Sequence, residues 1–228
     1  MNTELDDART AVAGASRRLA AEGLLIGTAG NVSVLVQGHV VVTATGADLS
    51  RITPEEVSVV DRHGRVVRGD LQPTSELDLH LGVYARHDAL AVVHTHAPAA
   101  TALSCVLEEL PCVHYQQLAL GGTVRVAPYA TFGTPELAAS VVEALVGRSA
   151  ALMANHGSVT TGASLDKAVE NALLLEWLCT VYRTASVVGL PRVLDEEQQA
   201  AVVTAAIERK YGTTHQLSEK QADHKEGR

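Results

Sequence analysis

The strongest constraint on the fold is a pair of histidines at the end of an apolar run. Residues 89–93 have the length and composition of a buried strand, and they lead into Val93-His94-Thr95-His96. Side chains two residues apart on a strand point to the same face of a sheet, so both imidazoles are predicted to project to one side. The segment is therefore predicted to be a strand whose end can hold one metal ion.

A third histidine has a similar setting. The apolar run 150–154 is followed by Asn155-His156-Gly157, and residues 158–161 are predicted to continue the same strand. Three neutral imidazoles at strand ends predict a Zn²⁺ site with an open fourth position, which a catalytic metal needs. The alternative is that each histidine is structural, as most single histidines at strand ends are.

A helix is predicted to begin at Pro73-Thr74-Ser75-Glu76 and to continue through Leu81. Thr74 or Ser75 can cap its first N–H groups, and a helix N-terminus is also a natural phosphate site. Glu76 has two interpretations: a carboxylate that compensates the helix dipole, or a base directed at the metal pocket. Spacing alone favours the first.

Two turns are rich in small residues and hydroxyl groups. Residues 27–31 read Gly-Thr-Ala-Gly-Asn, in which glycine lets N–H groups approach an anion while Thr28 and Asn31 add donors. Thr45-Gly46 forms a second such turn after a predicted strand. Short glycine-rich turns are common, so an ordinary tight turn is the simpler interpretation of residues 27–31.

The order of the elements indicates an α/β fold. Residues 32–36 and 39–43 form a predicted hairpin, and several other strands are joined by tight turns, so the sheet is expected to be mainly antiparallel, with helices flanking it. Residues 1–212 are predicted to form a single domain. The polar residues 213–228 lack an apolar period and are predicted to be a disordered tail.

The composition and charge of the chain argue against a nucleic-acid-binding protein and against a membrane protein. The net charge of −8 argues against a nucleic-acid surface, and no apolar run reaches the roughly 18 residues that a membrane span needs. The three cysteines are sparse and odd in number, and the charged N-terminus has no apolar signal segment. These features predict a cytoplasmic protein that binds neither nucleic acid nor membrane.

Taken together, six segments resemble the class II (zinc-dependent) aldolase and adducin head family, and within it the aldolases that act on L-fuculose 1-phosphate. They occur in family order and at family spacing between about residue 5 and about residue 212. The segments are Gly27-Thr28-Ala29-Gly30-Asn31-Val32-Ser33, Thr45-Gly46, Pro73-Thr74-Ser75-Glu76, Val92-Val93-His94-Thr95-His96, Ala127-Pro128-Tyr129-Ala130-Thr131-Phe132-Gly133-Thr134, and Asn155-His156-Gly157.

The resemblance implies a fold and an activity. The fold is a nine-stranded, mainly antiparallel sheet flanked by helices, in a fourfold homotetramer whose active sites lie between neighbouring subunits. The activity is zinc-dependent cleavage of a phosphorylated sugar, a ketose 1-phosphate such as L-fuculose 1-phosphate, into dihydroxyacetone phosphate and an aldehyde. Zn²⁺, one per chain, would stabilise the negative charge that develops beside the C2 carbonyl.

The resemblance also assigns roles to residues. His94, His96 and His156 look like the zinc ligands, and Glu76 looks like the acid/base. Tyr115 and Tyr211 look like tyrosines that reach into a neighbour's site. Tyr115 lies in a predicted extended segment over residues 111–115, and it would donate a proton to the aldehyde oxygen. The residues that look like a phosphate cradle are Thr28, Asn31, Thr45, Gly46, Thr74 and Ser75.

Three alternatives stay open on this fold. Ribulose-5-phosphate 4-epimerases use the same zinc chemistry without releasing fragments, but typically have aspartate at the position of Glu76. Methylthioribulose-1-phosphate dehydratases also resemble this chain. A non-enzymatic, adducin-like structural protein is disfavoured because adducin heads lack the three histidines.

Overall fold

The computed structural model describes residues 2–214, which contain nine strands and six α-helices. The strands are β1 (Asn31–Val36), β2 (His39–Thr43), β3 (Val57–Val60), β4 (Val66–Arg68), β5 (Ala91–Thr95), β6 (Glu109–Leu110), β7 (Val124–Ala127), β8 (Ala150–Met153) and β9 (Gly157–Gly162). The α-helices are α1 (Asn2–Ala21), α2 (Leu77–Arg86), α3 (Pro98–Ser104), α4 (Pro135–Ala144), α5 (Leu165–Val188) and α6 (Glu196–Glu208). Two 3₁₀ helices span Pro54–Glu56 and Tyr115–Leu120.

The strands form one sheet in the order β4-β3-β2-β1-β5-β9-β8-β7-β6. Neighbours pair antiparallel except for β7 and β8, which are parallel. The predicted mainly antiparallel sheet flanked by helices is thus confirmed. At its centre β1 lies beside β5, with Asn31 opposite His94.

Alternate residues of each strand pack on opposite faces of this sheet. Val93 and Leu152 belong to a core formed with α1, α3 and α5, whereas Val92 and Met153 belong to a core formed with α2 and α4. Because side chains alternate along a strand, His94 shares the face of Val92. The sheet therefore directs His94 toward the α2 side.

The chain reverses direction after β8. The prediction that residues 158–161 continue this strand is wrong, because β8 ends at Met153 and Asn155 takes a positive φ of 57°. The strand β9 then runs back antiparallel to β8 and also pairs with β5. The reversal places His156 in a turn that lies next to His94.

The described chain divides into two compact units, the first ending at Val193 and the second beginning at Leu194. The second unit contains α6, where the side chain of Asp195 accepts a hydrogen bond from the Gln198 N–H at 2.8 Å. The boundary predicted at residue 212 stays a prediction, and residues 215–228 of the predicted tail lie outside the described residues. Within residues 2–214, no helix combines the length and apolarity needed to cross a membrane.

Candidate active site

The three predicted ligand histidines lie together. His94 is in β5, His96 follows the end of that strand, and His156 is in the turn before β9. Their ring centroids are 4.8–4.9 Å apart, and one ring nitrogen from each lies within 4.8 Å of the others. The sequence-based grouping of these residues is therefore correct.

Gly157 permits this close approach of the turn to β5. A Cβ atom at this position would overlap the carbonyl oxygen of Thr95 and would lie 3.5 Å from the His94 ring. Any other residue would force β9 away from β5, and His156 would move with it. Glycine is therefore required here because two backbone segments nearly touch.

The hydrogen bond made by His94 Nδ1 determines that Nε2 is the ring nitrogen able to bind a cation. Its Nδ1 is 2.9 Å from the Ser158 carbonyl, which only accepts, so Nδ1–H is the donor and Nε2 of the neutral ring carries a lone pair. That Nε2 lies 3.0 Å from His96 Nε2 and 3.1 Å from Glu76 Oε2. Converging lone pairs repel one another, so this arrangement requires a proton or a metal ion between them.

The donor set fits zinc. Three imidazole nitrogens with an open fourth position are an established form of catalytic zinc site. Glu76 Oε1 lies 3.6 Å from His156 Nε2 and is buried without a hydrogen-bond partner among the described residues. A cation or a substrate proton would satisfy this oxygen.

Charge coupling sets the protonation of Glu76 and His94. Burial would raise the pKa of Glu76, but the charge and hydrogen bond of His94, together with the Asn31 amide, outweigh it and lower the pKa below its usual range. Burial would lower the pKa of His94, but the Glu76 carboxylate outweighs it and raises that pKa. Without a metal, the two groups form a buried ion pair.

The other two imidazoles are predisposed to bind a metal. Burial lowers the pKa of His96 to about 4, and repulsion from His94 and from His156 in their protonated forms contributes. Burial and His94 also lower the pKa of His156. Both rings are therefore neutral at pH 7, which is the state that ligates a metal.

A cavity of about 570 Å³ opens beside the histidines. Glu76, His96 and His156 line it, whereas His94 is fully buried behind them. None of the described residues that line the cavity is lysine or arginine. All of the predicted phosphate-binding residues line it, namely Thr28, Asn31, Thr45, Gly46, Thr74 and Ser75.

Backbone hydrogen bonds bring two of the predicted phosphate turns together. The Thr45 N–H donates to the Gln72 carbonyl and the Thr74 N–H donates to the Thr43 carbonyl, each at 3.0 Å. Thr74 Oγ1 accepts from the Glu76 N–H at 3.3 Å, rather than from the first N–H groups of α2 as predicted. The cavity wall therefore combines hydroxyl groups with small residues.

Glu76 immediately precedes α2, and its side chain makes no capping hydrogen bond to that helix. Instead Oε2 contacts His94 and accepts a hydrogen bond from Asn31 Nδ2 at 2.9 Å. Its contacts thus differ from those of a carboxylate that only compensates the helix dipole.

Sequence reasoning missed three polar residues behind Glu76, of which two are buried and one is partly buried. Ser33, His80 and Tyr84 form a hydrogen-bonded group that continues from Asn31. Two spacings in the sequence signal this group: Asn31 and Ser33 are two apart on a strand, and Glu76, His80 and Tyr84 are four apart on a helix. Each spacing places its residues on one face of its element.

Tyr115 is not among the described residues that line this cavity. Tyr115 begins the 3₁₀ helix Tyr115–Leu120, which corrects the predicted extended conformation, and its ring centroid is 4.5 Å from that of His114. Tyr211 belongs to the second unit and is exposed. Their predicted contribution to a neighbouring subunit stays a prediction.

Comparison with known proteins gives consistent matches. The sequence profile of the Class II Aldolase and Adducin N-terminal domain matches residues 10–183. The chain is 36% identical over 205 residues to 5-methylthioribulose-1-phosphate/5-deoxyribulose-1-phosphate aldolase of Rhodospirillum rubrum, covering 89% of this chain and 91% of that protein. It is 39% identical over 183 residues to L-fuculose phosphate aldolase of Escherichia coli strain K12, covering 79% and 85%. A solved structure of L-fuculose 1-phosphate aldolase superposes with a TM-score of 0.84 at 35% identity, covering 90% of this chain and 97% of that one.

Proposed function

Because the chain belongs to the class II aldolase and adducin N-terminal domain family, we propose that it is a zinc-dependent aldolase that cleaves a ketose 1-phosphate reversibly into dihydroxyacetone phosphate and an aldehyde. Membership of the family and the matched relatives identify it as a class II sugar-phosphate aldolase, a carbon–carbon lyase. The finer proposal depends on one observation. A buried carboxylate oxygen, which has no hydrogen-bond partner in the part of the chain that the structure describes, lies beside three converging imidazoles at a cavity.

His94, His96 and His156 would hold the zinc ion. When bound, zinc supplies Lewis-acid chemistry that stabilises negative charge on the substrate's carbonyl and C3 oxygens. The Ser158 carbonyl holds the tautomer of His94 that presents Nε2 to the metal.

Glu76 would be the acid/base. In the synthetic direction it removes a proton from C3 of dihydroxyacetone phosphate, and in cleavage it returns that proton. Its lowered pKa keeps it ionised at neutral pH, and the bond from Asn31 holds Oε2 so that Oε1 remains able to accept the proton.

The small-residue turns would bind the phosphate group. The hydroxyl groups of Thr28, Thr45, Thr74 and Ser75, with backbone N–H groups such as that of Gly46, can hold a dianion without a cationic side chain. The second amide hydrogen of Asn31 is also available. Binding the phosphate away from the reacting carbons holds those carbons in place.

The aldehyde portion would meet an aromatic wall. Tyr129 and Phe132 line the cavity and are 67% and 65% exposed in the single chain. L-fuculose, 5-deoxyribulose and 5-methylthioribulose all end in a methyl or methylthio group, which an aromatic surface favours. We therefore favour a ketose 1-phosphate with an apolar end.

The assembly is part of the proposal. The family resemblance supports a homotetramer in which Tyr115 and Tyr211 reach a neighbouring site, with Tyr115 donating a proton to the aldehyde oxygen. Tyrosine combines an apolar body with a polar tip, which suits such an interface.

An assay of released dihydroxyacetone phosphate tests the reaction. Zinc-loaded protein would be given the 1-phosphates of L-fuculose, 5-deoxyribulose and 5-methylthioribulose, and separately ribulose 5-phosphate. We expect dihydroxyacetone phosphate from at least one 1-phosphate and no xylulose 5-phosphate. Epimerisation of ribulose 5-phosphate without cleavage of any 1-phosphate would identify a 4-epimerase instead, and loss of water from 5-methylthioribulose 1-phosphate would identify a dehydratase.

A further inference from the structure

Two short rows of polar residues face each other behind the candidate active site. Asn31 and Ser33 project from the same face of β1, and Glu76, His80 and Tyr84 recur every fourth residue at the start of α2 and along it. Asn31, Ser33, Glu76 and His80 are all less than a tenth exposed, and His80 is fully buried. The two rows are therefore a polar layer within an apolar core.

The rows form one continuous hydrogen-bonded chain. Glu76 Oε2 is 2.9 Å from Asn31 Nδ2, and Asn31 Oδ1 is 2.5 Å from His80 Nε2. His80 Nδ1 is 2.6 Å from Ser33 Oγ, which is 2.7 Å from the Tyr84 hydroxyl. Four consecutive bonds thus connect a residue of the site, through buried side chains, to the partly buried Tyr84.

The ionised carboxylate fixes the direction of every bond. A carboxylate only accepts, so the amide of Asn31 must present Nδ2 to Glu76 and Oδ1 to His80. Oδ1 also only accepts, so His80 must carry its proton on Nε2 and accept at Nδ1 from the Ser33 hydroxyl. The Ser33 oxygen then accepts from Tyr84. All four donors point toward Glu76.

We propose that His80 is a positioning residue, which holds the Asn31 amide in the one orientation that anchors Glu76 Oε2 and leaves Oε1 available. This inference rests on the proposed function, because Glu76 must be the acid/base for its position to matter. Burial lowers the pKa of His80 to about 3, so the ring stays neutral and keeps a single donor.

Loss of the His80 donor has a defined consequence. Asn31 Oδ1 would be left buried without a partner, and rotation of the amide by 180° would turn this oxygen toward the carboxylate. Two acceptors would then face each other, so Glu76 would move from its position. His94, His96 and His156 are not members of this chain of bonds, so zinc should still bind.

Two substitutions of His80 distinguish a role in positioning Asn31 from a role in packing alone. His80→Gln keeps an N–H donor near the position of Nε2, whereas His80→Leu removes it. His87→Leu is the matched control, because His87 follows the last residue of the same helix, at the end opposite Glu76, and its Nε2 bonds to the Val142 carbonyl at 2.9 Å.

We expect His80→Leu to lower kcat by about 10–100-fold, the usual effect of removing a hydrogen-bond partner that orients a residue of a metal site, with KM within about threefold and zinc content unchanged. His80→Gln should recover most of that loss. His87→Leu should leave kcat within about twofold even where it lowers the melting temperature. Equal kcat losses in the Gln and Leu variants, or in His87→Leu, would overturn the proposal.

A second measurement needs no variant and no substrate. Nitrogen-15 NMR of the zinc-loaded wild-type protein reports the tautomer of each histidine directly. We expect His80 to show a protonated Nε2 and an unprotonated Nδ1 from pH 6 to pH 9, whether or not any sugar phosphate is cleaved. A protonated Nδ1, as the opposite tautomer or as imidazolium, would overturn the proposed direction of the bonds. Failure of the aldolase assay alone would instead count against the proposed function.

Discussion

The two oxygens of Glu76 lie in different environments. Oε2 contacts His94 and Asn31, whereas Oε1 has no hydrogen-bond partner among the described residues. The same carboxylate raises the pKa of His94 and so stabilises a proton where a metal would bind. Glu76 therefore influences both the chemistry and the loading of the site.

This coupling predicts a pH-dependent zinc affinity. His96 and His156 are already neutral at pH 7, but His94 has a raised pKa and must lose its proton to bind zinc. Zinc affinity should therefore increase with pH below the pKa of His94 and become constant above it, with at most about one proton released per ion near neutrality. Calorimetry in buffers of different ionisation enthalpy measures this number.

Glu76→Gln is the control for that measurement. Without the carboxylate, the pKa of His94 should fall, so the variant should release fewer protons while still binding zinc. Release of two or more protons near pH 7 in the wild-type protein would show that the assignment of charges is wrong.

Single residues were predicted from the sequence to different extents. His94, His96 and His156 could be grouped because each lies at the end of an apolar run. Glu76 was assigned as the acid/base from the family resemblance, because its spacing alone favours a carboxylate that compensates the helix dipole. His80 could not be identified, because its spacing from Glu76 and Tyr84 is also that of an ordinary helix face. Only the packing of α2 against β1 shows that this face meets Asn31 and Ser33.

Among the elements, the main difference between prediction and structure is the hairpin of β8 and β9, which the sequence predicts to be one strand. Residues 150–154 are all apolar and residues 158–161 are small or β-branched, so both segments have strand composition and their alternation does not mark the reversal. The positive φ of Asn155 and the tight approach of Gly157 to Thr95 are properties of the folded backbone. By contrast, the hairpin of β1 and β2 was predicted correctly because Gln37-Gly38 is a recognisable turn.

The turn that carries Thr74 and Ser75 gives a prediction about phosphate binding. Ser75→Ala should lower kcat/KM for a phosphorylated ketose by about 10–100-fold, since a hydrogen bond to a charged group is typically worth about 1.5–3 kcal/mol. The same variant should barely change the slow turnover of the unphosphorylated sugar. Steady-state kinetics on both substrates make the comparison.

Ser164→Ala is a matched control, because Ser164 caps α5 by accepting from the Lys167 N–H at 3.1 Å and does not line the cavity. It should alter stability without distinguishing the two substrates. Equal losses on both substrates for Ser75→Ala would mean that Ser75 has a structural role only.

For the whole molecule, the proposed shared site predicts complementation between inactive subunits. Glu76→Gln and Tyr115→Phe proteins would be mixed under conditions that exchange subunits. If Tyr115 serves a neighbour's site, some interfaces combine an intact Glu76 with an intact Tyr115, and part of the activity should return.

A mixture of Glu76→Gln with His94→Ala is the negative control, since both residues belong to the same cavity region of one chain. It should stay inactive because each subunit then lacks one part of its own site. No recovery in the first mixture, with exchange confirmed by mass spectrometry, would rule out a shared site.

The most direct test of the proposal is proton exchange at C3 of dihydroxyacetone phosphate in D₂O, without an aldehyde. Zinc-loaded wild-type protein should introduce one deuterium at C3, because Glu76 removes and returns that proton. Glu76→Gln should retain zinc but exchange at least about 10²-fold more slowly, which is the lower end of a general base's usual contribution. Exchange by Glu76→Gln within about threefold of the wild-type rate would contradict the role of Glu76 as the base.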